Sequence, residues 1–342
     1  MIKCLFADST FQKGHKGFNA GILKALSSLS DVDLYVLDYS GYYKKDCFSN
    51  KIKWIDYIGK NGFDSRLLGR LESIRVLNFV KRENKKHNFD YIIMASYDIV
   101  SLFFSGYCLK NTYLINHNNI DQLKNRAKRR MFKTISKHFS HVVLEGFIDA
   151  YLKNNFRNIK THLVHHPLPA CKKNNDCKCV YDCVALSNNN DETIIDRLIE
   201  FDKNNILKEK NLRIVIKSHR RNYKSDNLYV IKGFLDDACY GEFLSSSKYV
   251  YLPYPKSYMY RTSAVFLEAI VNKKKIISSD ILLASYYKQL YPNLVYVCEK
   301  ADDLLELLSK RGDDDYKDDA SDFIKNRSDL QIAKELLSLF KK

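Results

Sequence analysis

The chain has 342 residues, a formal net charge of +16, 45% hydrophobic residues and 13% aromatic residues. This composition excludes a disordered chain, and the length predicts two domains rather than one core. The sequence contains no apolar run of about 18 or more residues and no signal-peptide pattern, so we expect a cytoplasmic protein without a membrane span.

Strands and helices alternate along the first half of the chain, a pattern that indicates a parallel, doubly wound sheet. The predicted strands are 2–7, 32–37, 91–95, 112–115 and 141–144. The predicted helices are 17–29, 67–87 and 119–141. The second half repeats the alternation, with strands at 180–186, 212–217, 228–231, 249–252, 275–278 and 294–297.

Two prolines in the segment 165–170 interrupt both patterns and mark a domain boundary. The sequence therefore predicts a first domain at 1–166 and a second at 167–320. A last helix within 321–342 is free to cross back to the first domain.

A loop with glycines follows the first strand. Gly14 and Gly17 permit close approach of a ligand, and His15 and Lys16 supply charge, although a flexible solvent loop is the alternative. The loop lacks the G-x-G-x-x-G spacing, so NAD binding is not expected.

The strand 112–115 ends in a run of polar residues around His117. The carboxyl end of a parallel strand is where α/β proteins bind ligands, and an imidazole there can accept or donate a proton. A structural histidine is the alternative.

The helix predicted at 119–141 is strongly basic and carries an apolar stripe, and 81–87 is a second basic patch. Either these are solvated faces of core helices or they contact an anionic membrane. The stripe consists of Leu123, Ala127, Met131, Ile135 and Phe139, and the basic side of Arg126, Arg130, Lys133 and Lys137.

Three polar loops follow strands in the second half. They contain Ser187 and Asn188, then Lys217 and Arg220, then Phe234 and Leu235. A fourth loop leads to a helix that contains Glu268. Arg261, Thr262 and Ser263 stand before that helix, whose N-terminus suits a diphosphate. The alternatives are plain turns and a surface loop capped by Ser263.

Four cysteines cluster at 171, 177, 179 and 183, but their spacing is not that of a zinc site, and a variable connector is the better interpretation. Asp-x-Asp pairs occur at 31–33, at the start of a predicted strand, and in the acidic run 313–319. We expect no metal.

The segment 249–278 resembles the donor-nucleotide motif of GT-B glycosyltransferases, especially family 4. That motif has a pair of glutamates, the second followed by alanine, and Glu268 and Ala269 match the second. Tyr260 stands at the position of the first glutamate, so retention or inversion of the anomeric configuration stays open.

The resemblance implies an α/β fold of two Rossmann-like doubly wound domains that face each other across a cleft. It implies His117 at the reacting centre and the loop 14–17 on acceptor or phosphate. Donor or nucleotide contacts are implied for Glu268, Arg261, Thr262, Ser263, Lys217, Arg220, Phe234, Leu235, Ser187 and Asn188.

The implied reaction moves a sugar from a nucleotide sugar, with a UDP-sugar as the expected co-substrate, to a saccharide or lipid-linked saccharide in bacterial surface-polysaccharide assembly. Location on the inner face of the cell membrane would suit this reaction. Two alternatives remain: a sugar-nucleotide 2-epimerase of the same fold, and a basic nucleic-acid-binding protein. The sequence has no recognisable nucleic-acid module, so no nucleic-acid partner is expected.

Overall fold

The computed structural model describes residues 1–11, 15–59, 65–170, 179–309 and 316–340, with the side chains of 316–318 left out. The chain divides into two compact units, and neither is a single stretch of sequence. Unit 1 consists of Met1–Pro167, Tyr260–Thr262 and Arg327–Lys342. Unit 2 consists of Leu168–Met259 and Ser263–Asn326.

Unit 1 is built on a seven-stranded sheet in the order β3-β2-β1-β4-β5-β6-β7, with every pairing parallel. Its strands are β1 Ile2–Ala7, β2 Val32–Tyr39, β3 Lys53–Tyr57, β4 Tyr91–Met94, β5 Thr112–Asn116, β6 Ser140–Val143 and β7 Lys160–Leu163. Its first five helices are α1 Lys16–Ser27, α2 Arg66–His87, α3 Ile99–Phe104, α4 Arg126–Ile135 and α5 Gly146–Asn155.

Unit 2 has a second seven-stranded sheet, in the order β10-β11-β9-β8-β12-β13-β14. Its pairings are parallel except for the antiparallel edge pair β10 and β11. The strands are β8 Tyr181–Ala185, β9 Ile214–Ser218, β10 Tyr223–Lys224, β11 Leu228–Lys232, β12 Ser247–Leu252, β13 Lys275–Ser279 and β14 Val295–Cys298. The helices are α6 Glu192–Lys203, α7 Ile206–Glu209, α8 Asp237–Ser245, α9 Ala264–Val271, α10 Leu282–Leu290, α11 Ala301–Ser309 and α12 Tyr316–Lys325.

The last helix, α13 Asp329–Leu339, belongs to unit 1. Ile332 and Leu336 of α13 join Phe6 of β1 and Ile22 and Leu26 of α1 in one buried cluster. Strands such as β1 and β5 are apolar along their length because a parallel sheet is covered on both faces. The core of unit 1 is therefore completed by the end of the chain.

Two predicted helices are wrong in their extent. The basic helix expected at 119–141 is a short 3-10 turn, Asp121–Lys124, followed by α4, because Asn125 caps α4 and accepts a hydrogen bond from the Lys128 amide at 3.1 Å. Ala127, expected in the apolar stripe, is exposed, and Phe132 is buried in the core.

The helix expected from residue 321 to the end is two helices, α12 and α13. Ser328 begins the second one, since its hydroxyl accepts from the Gln331 amide at 3.3 Å. Strands β3, β7 and β10 were not predicted either. They lie at or near sheet edges, where short and polar strands carry a weak hydrophobic pattern.

Strand order reverses between β1 and β4 in unit 1 and between β8 and β12 in unit 2. Such a reversal opens a crevice at the carboxyl ends of the strands, where doubly wound folds bind ligands. The predicted class, two Rossmann-like doubly wound domains, is confirmed. Among the helices of the described ranges, none is long and apolar enough to cross a bilayer.

Candidate active-site residues

Lys217 is the central residue at the carboxyl edge of the unit 2 sheet. It is only 6% exposed, and its Nζ donates a hydrogen bond to Oδ1 of Asn188 at 2.6 Å. No carboxylate of the described residues forms an ion pair with it, and burial lowers the pKa of its ammonium group. A buried cation without a counter-ion is costly, so this site suits an anionic ligand.

The loop after β8 is held against Lys217 by side-chain amides. Asn190 donates from Nδ2 to the carbonyl oxygens of Ala185 and Lys217, at 2.9 and 3.0 Å. Ser187 is buried and accepts from the Asn189 amide at 3.1 Å. The structure thus gives Ser187 a loop-forming role and presents Asn188, which is exposed, toward Lys217.

Glu192, in the first turn of α6, fixes the loop after β9. Its two carboxylate oxygens accept from the Ser218 hydroxyl and from the His219 amide, both at 2.7 Å. Ser218 in turn accepts from the amides of Arg220 and Arg221. Arg220 is exposed, so its guanidinium lies at the surface of this edge.

Ser263 begins α9 as predicted for a cap, since its hydroxyl accepts from the Phe266 amide at 3.2 Å and pairs with Tyr254 Oη at 2.8 Å. Glu268, one turn further, accepts a hydrogen bond from the hydroxyl of Tyr240 on α8. Burial raises the pKa of Tyr240, with the charge of Glu268 next in importance. The Tyr240 hydroxyl is thus one of the groups that fix the Glu268 carboxylate.

The ring of Phe234 is 90% exposed, and Lys217 Nζ lies 5.3 Å from its centre. Leu235 beside it is partly buried. Gly233 has a φ of 100°, a value that side chains rarely adopt, so the turn that presents Phe234 favours glycine. An exposed aromatic ring at a sheet edge can stack on a planar group.

Arg261 and Thr262 directly precede Ser263 in the chain, and the segment Tyr260–Thr262 is assigned to unit 1. The Arg261 guanidinium forms an ion pair with Asp121, which also accepts from the Tyr260 amide at 2.8 Å. Tyr260, at the position of the first motif glutamate, stacks on Tyr151 with ring centres 3.9 Å apart. A donor role for Arg261 and Thr262 stays a prediction.

At the carboxyl end of the unit 1 sheet, Asp8 organises the loop after β1. Its carboxylate is buried and accepts from the amides of Thr10 and Phe11 at 2.8 Å, from Asn19 Nδ2 at 3.0 Å and from the Ser96 hydroxyl. These bonds tie the ends of β1 and β4 together at the point where strand order reverses.

His117 follows β5 at the same edge and is partly buried. Its ring stacks on His15 at 4.7 Å and meets Phe18 edge-on at 4.3 Å. Burial lowers the pKa of His117 well below its usual value, the positive charges of His15 and His166 lower it further, and a hydrogen bond with the Ala95 backbone opposes them. The imidazole is therefore neutral near pH 7.

The two ring nitrogens of His117 differ in their hydrogen bonding. Nε2 is buried and has no hydrogen-bond partner among the described residues. The hydrogen bond with the Ala95 backbone raises the pKa of His117, so a ring N–H donates in this bond. Because Nε2 has no partner among those residues, Nδ1 is that donor, and Nε2 of the neutral ring is an acceptor. A buried acceptor without a partner is costly and suits a substrate hydroxyl.

The loop before α1 is placed only in part. Gly14 lies outside the described residues. His15 is partly buried with Nδ1 4.0 Å from Asp8 Oδ2, and burial lowers its pKa against the charge of Asp8. Lys16 lies 4.7 Å from the Tyr42 ring centre, and a Cβ at Gly17 would meet no atom within 4 Å, so packing does not require that glycine.

The sequence reasoning missed three residues of these two edges. His166 packs edge-on against Phe18 at 4.8 Å, and burial lowers its pKa to about 4. Asp8 and Tyr240 act through hydrogen bonds to partners distant in sequence. A signal existed for Asp8, which directly follows the first buried strand, but none for Tyr240.

No group of three or more histidine, cysteine or acidic side chains in the described ranges is arranged to hold a metal ion. Of the cysteine cluster, Cys171 and Cys177 lie outside those ranges, and Cys179 and Cys183 are free thiols.

Known structures share this architecture over nearly the whole chain. Sucrose-phosphate synthase from Thermosynechococcus elongatus matches with a TM-score of 0.61 at 11% identity, over 99% of this chain and 95% of that one. UGT89C1 from Arabidopsis thaliana, complexed with UDP, matches at 0.61 and 11%, over 99% of both chains. UDP-GlcNAc 2-epimerase from Methanocaldococcus jannaschii matches at 0.60 and 11%, over 99% of this chain and 100% of that one.

No family model matches the chain, and no curated protein matches it significantly. At identities this low the likeness shows the fold alone. The fold is the two-domain Rossmann-like architecture that the GT-B resemblance implied.

Proposed function

We propose that this chain is a glycosyltransferase that moves a sugar from a nucleotide sugar to a hydroxyl of a saccharide or lipid-linked saccharide. Unit 2 is assigned the nucleotide contacts and unit 1 the proton transfer. Surface-polysaccharide assembly and the family 4 relationship are part of this proposal, supported by the half motif at Glu268 and Ala269.

The observation that carries the proposal is Lys217, a buried ammonium group with no carboxylate partner among the described residues. A diphosphate would supply the missing negative charge. As the bond from sugar to phosphate breaks, charge develops on the leaving diphosphate, and a fixed cation in a site of low dielectric stabilises that charge. Arg220 and the Asn188 amide are assigned to the same phosphates.

The remaining donor contacts follow from the loops around Lys217. The exposed Phe234 ring is assigned to the nucleobase, with Leu235 beside it, and Glu268 to the ribose hydroxyls. The amide groups at the N-terminus of α9, after Ser263, favour an anion. A uracil base and UDP are proposed on the strength of the UDP complex of UGT89C1.

His117 is proposed as the general base. Its Nε2 takes the proton of the acceptor hydroxyl while the acceptor oxygen bonds to the anomeric carbon and the nucleoside diphosphate leaves. A neutral imidazole is needed for this step, and burial keeps the ring neutral. His15, stacked on His117, is a positioning residue in this scheme.

Thermal unfolding in the presence of UDP, GDP, CDP, dTDP or CMP tests the donor assignment. A ligand present at about 100 times its Kd stabilises the native state by about 2.7 kcal/mol, so a selective rise in Tm is expected with UDP. The rise should vanish in Lys217→Met and persist in Lys248→Met, whose lysine pairs with Asp182 at the surface of the same unit. No rise with any nucleotide would refute the donor site.

A sugar-nucleotide 2-epimerase is the second candidate, because the UDP-GlcNAc 2-epimerase of Methanocaldococcus jannaschii matches this chain as closely as the transferases do. Incubation with UDP-GlcNAc and no acceptor separates the two. Formation of the 2-epimer or of free UDP and sugar favours the epimerase, whereas a product that forms only with a saccharide acceptor favours the transferase.

A further inference from the structure

Helix α2 exposes a face that is apolar at its N-terminal end and basic at its C-terminal end. With about 100° of rotation per residue, Leu67, Leu71, Arg75, Arg82 and Lys85 fall within one arc of the helix. Leu67, Leu68 and Leu71 are 65%, 49% and 45% exposed. We call this set the α2 face: Leu67, Leu68, Leu71, Arg75, Asn78, Arg82 and Lys85, all of them exposed.

The core of unit 1 does not use these leucines. The buried side of α2 consists of Glu72, Ser73, Val76, Leu77, Val80 and Glu83. Three exposed leucines within two turns form a contiguous apolar patch, and such patches on a folded surface mark a site of interaction. We therefore expect a binding partner to cover these leucines, because the core of unit 1 does not.

Helix α3 extends the apolar surface along the flank of the α2 face. The Ser101 hydroxyl donates to the Arg70 carbonyl at 3.3 Å, and Lys81 Nζ donates to the carbonyl of Ser105 at 3.0 Å. Helix α3 therefore lies beside α2 between these two contacts. Its Phe103 and Phe104 are 36% and 65% exposed, which adds two aromatic rings on this flank of α2.

Positive charge surrounds the apolar patch. Burial lowers the pKa of Lys128, and the nearby charges of Arg66 and Arg70 lower it further against Asp98, which forms an ion pair with Arg70 at 3.3 Å. Arg66 and Lys128 add positive charge near the start of α2. At the other end, a surface groove of about 620 Å³ is lined by Tyr57, Arg75, Asn78, Lys81, Arg82 and Lys85. The two basic regions flank the leucines along the helix axis.

We propose that the α2 face docks the protein on an anionic lipid bilayer. The leucines and Phe104 enter the boundary between headgroups and acyl chains, and Arg82, Lys85 and the cations near Arg66 bind lipid phosphates. Apolar area together with basic side chains on one helix is what interfacial binding to anionic lipid requires. This surface is centred on α2, shares Arg82 and Lys85 with the basic patch 81–87 and includes Lys128 of the 119–141 region. It does not depend on sugar transfer.

Flotation of the purified chain with lipid vesicles tests the proposal. Binding is expected to vesicles of phosphatidylcholine with about one third phosphatidylglycerol, to weaken as salt screens the charges, and to be far weaker on phosphatidylcholine alone. No binding to the anionic vesicles overturns the proposal. The assay contains no nucleotide sugar, so docking and sugar transfer can fail separately.

Two paired variants locate the surface. Arg82→Ser with Lys85→Ser should weaken binding about 30-fold, since each basic side chain near an anionic surface contributes about a fivefold factor. Leu67→Ser with Leu71→Ser should weaken it by more than about 10-fold. The matched controls are Lys203→Ser with Lys210→Ser, and Leu290→Ser with Leu330→Ser, which change exposed residues elsewhere.

Equal binding by the α2 face variants and their controls would overturn the assignment of the surface. Equal Tm values of variant and control exclude loss of the fold as the cause of weaker binding. If light scattering instead finds a dimer that the leucine variants dissociate, while vesicles bind nothing, the occupant is a second copy of the chain and the membrane proposal is wrong.

Discussion

Burial favours the uncharged form of both Lys217 and His117. Burial lowers the pKa of each group, and each lies at the carboxyl edge of a sheet. The two groups lack different kinds of partner, however. Lys217 lacks a negative partner, whereas His117 leaves a buried acceptor nitrogen without a donor. An anion and a hydroxyl are the two ligands that satisfy them.

Replacing Lys217 by methionine should stabilise the free protein. The methionine keeps the length of the chain and removes a buried cation without a counter-ion, so we expect a gain of about 1 kcal/mol and a rise in Tm of about 2–4 °C. Differential scanning calorimetry without nucleotide measures this rise. A fall in Tm would show that the ammonium contributes to the fold through Asn188.

His117→Asn should separate chemistry from binding. Loss of the proposed base lowers kcat by about 10²-fold or more, while the rise in Tm caused by UDP stays as in the parent chain. His138→Asn, at an exposed histidine of the same unit, should leave both quantities unchanged. Full activity in His117→Asn would contradict its catalytic role.

At single positions, the sequence predicts which residues lie at strand ends. It does not predict a hydrogen bond or ion pair whose two residues are far apart in the chain. His117 directly follows the apolar strand β5, and Lys217 is the next-to-last residue of β9. Topology alone therefore predicts that both lie at the carboxyl edge of a sheet. Arg261 precedes α9 in sequence but pairs with Asp121, 140 residues away, and no local pattern reveals that bond. Whether these residues bind ligand stays a prediction.

At the scale of elements, α13 is the one on which the core of unit 1 depends. Leu336→Ala removes a fully buried side chain from the cluster around Ile22 and should lower the free energy of unfolding by about 2–5 kcal/mol. Leu330→Ala, on the exposed side of α13, should change it by less than about 0.5 kcal/mol.

Fluorescence of Trp54 during urea unfolding measures both values. The chain has one tryptophan, and it lies in β3 against the core of unit 1. Equal effects of the two substitutions would contradict the packing of α13.

The segment that joins β7 to unit 2 contributes a pH dependence. Burial lowers the pKa of His166 to about 4, against about 6.5 in an unfolded chain. Between pH 7 and pH 5 the unfolded chain binds a proton that the folded chain rejects, so stability falls by about 2 kcal/mol at pH 5. His166→Asn should remove this part of the loss in urea titrations at the two pH values, and His138→Asn should not.

Helices and strands whose hydrophobic residues repeat regularly were predictable from the sequence, but the residues at which they end were not. The alternation of apolar strands with helices is sufficient for both sheets, but the predicted helix at 119–141 ignored the capping side chain of Asn125. The same error merged α12 with α13, where Ser328 begins a new helix. A single side-chain hydrogen bond decides each boundary, and periodicity does not detect it.

At the scale of the molecule, no single truncation of the chain yields a complete unit 1, because its residues come from three separate segments. Residues 1–167 alone lack α13, so the apolar side of α1 around Ile22 and Leu26 would be exposed. We expect this fragment to aggregate or to remain a loosely packed state. Joining 327–342 to residue 167 through a flexible linker should restore a cooperative Trp54 transition, whereas the same fusion with Leu336→Asp should not.

The contribution of α13 to the core also sets an order of events during synthesis. All residues of unit 2 precede Arg327, whereas unit 1 waits for the last helix of the chain. As the ribosome delivers residues at about 5–20 per second, the second half of the nascent chain can finish folding before the first half. Unit 1 thus begins to be made before unit 2 but is the later of the two to reach its final packing. During that interval a chaperone would meet the uncovered apolar side of α1.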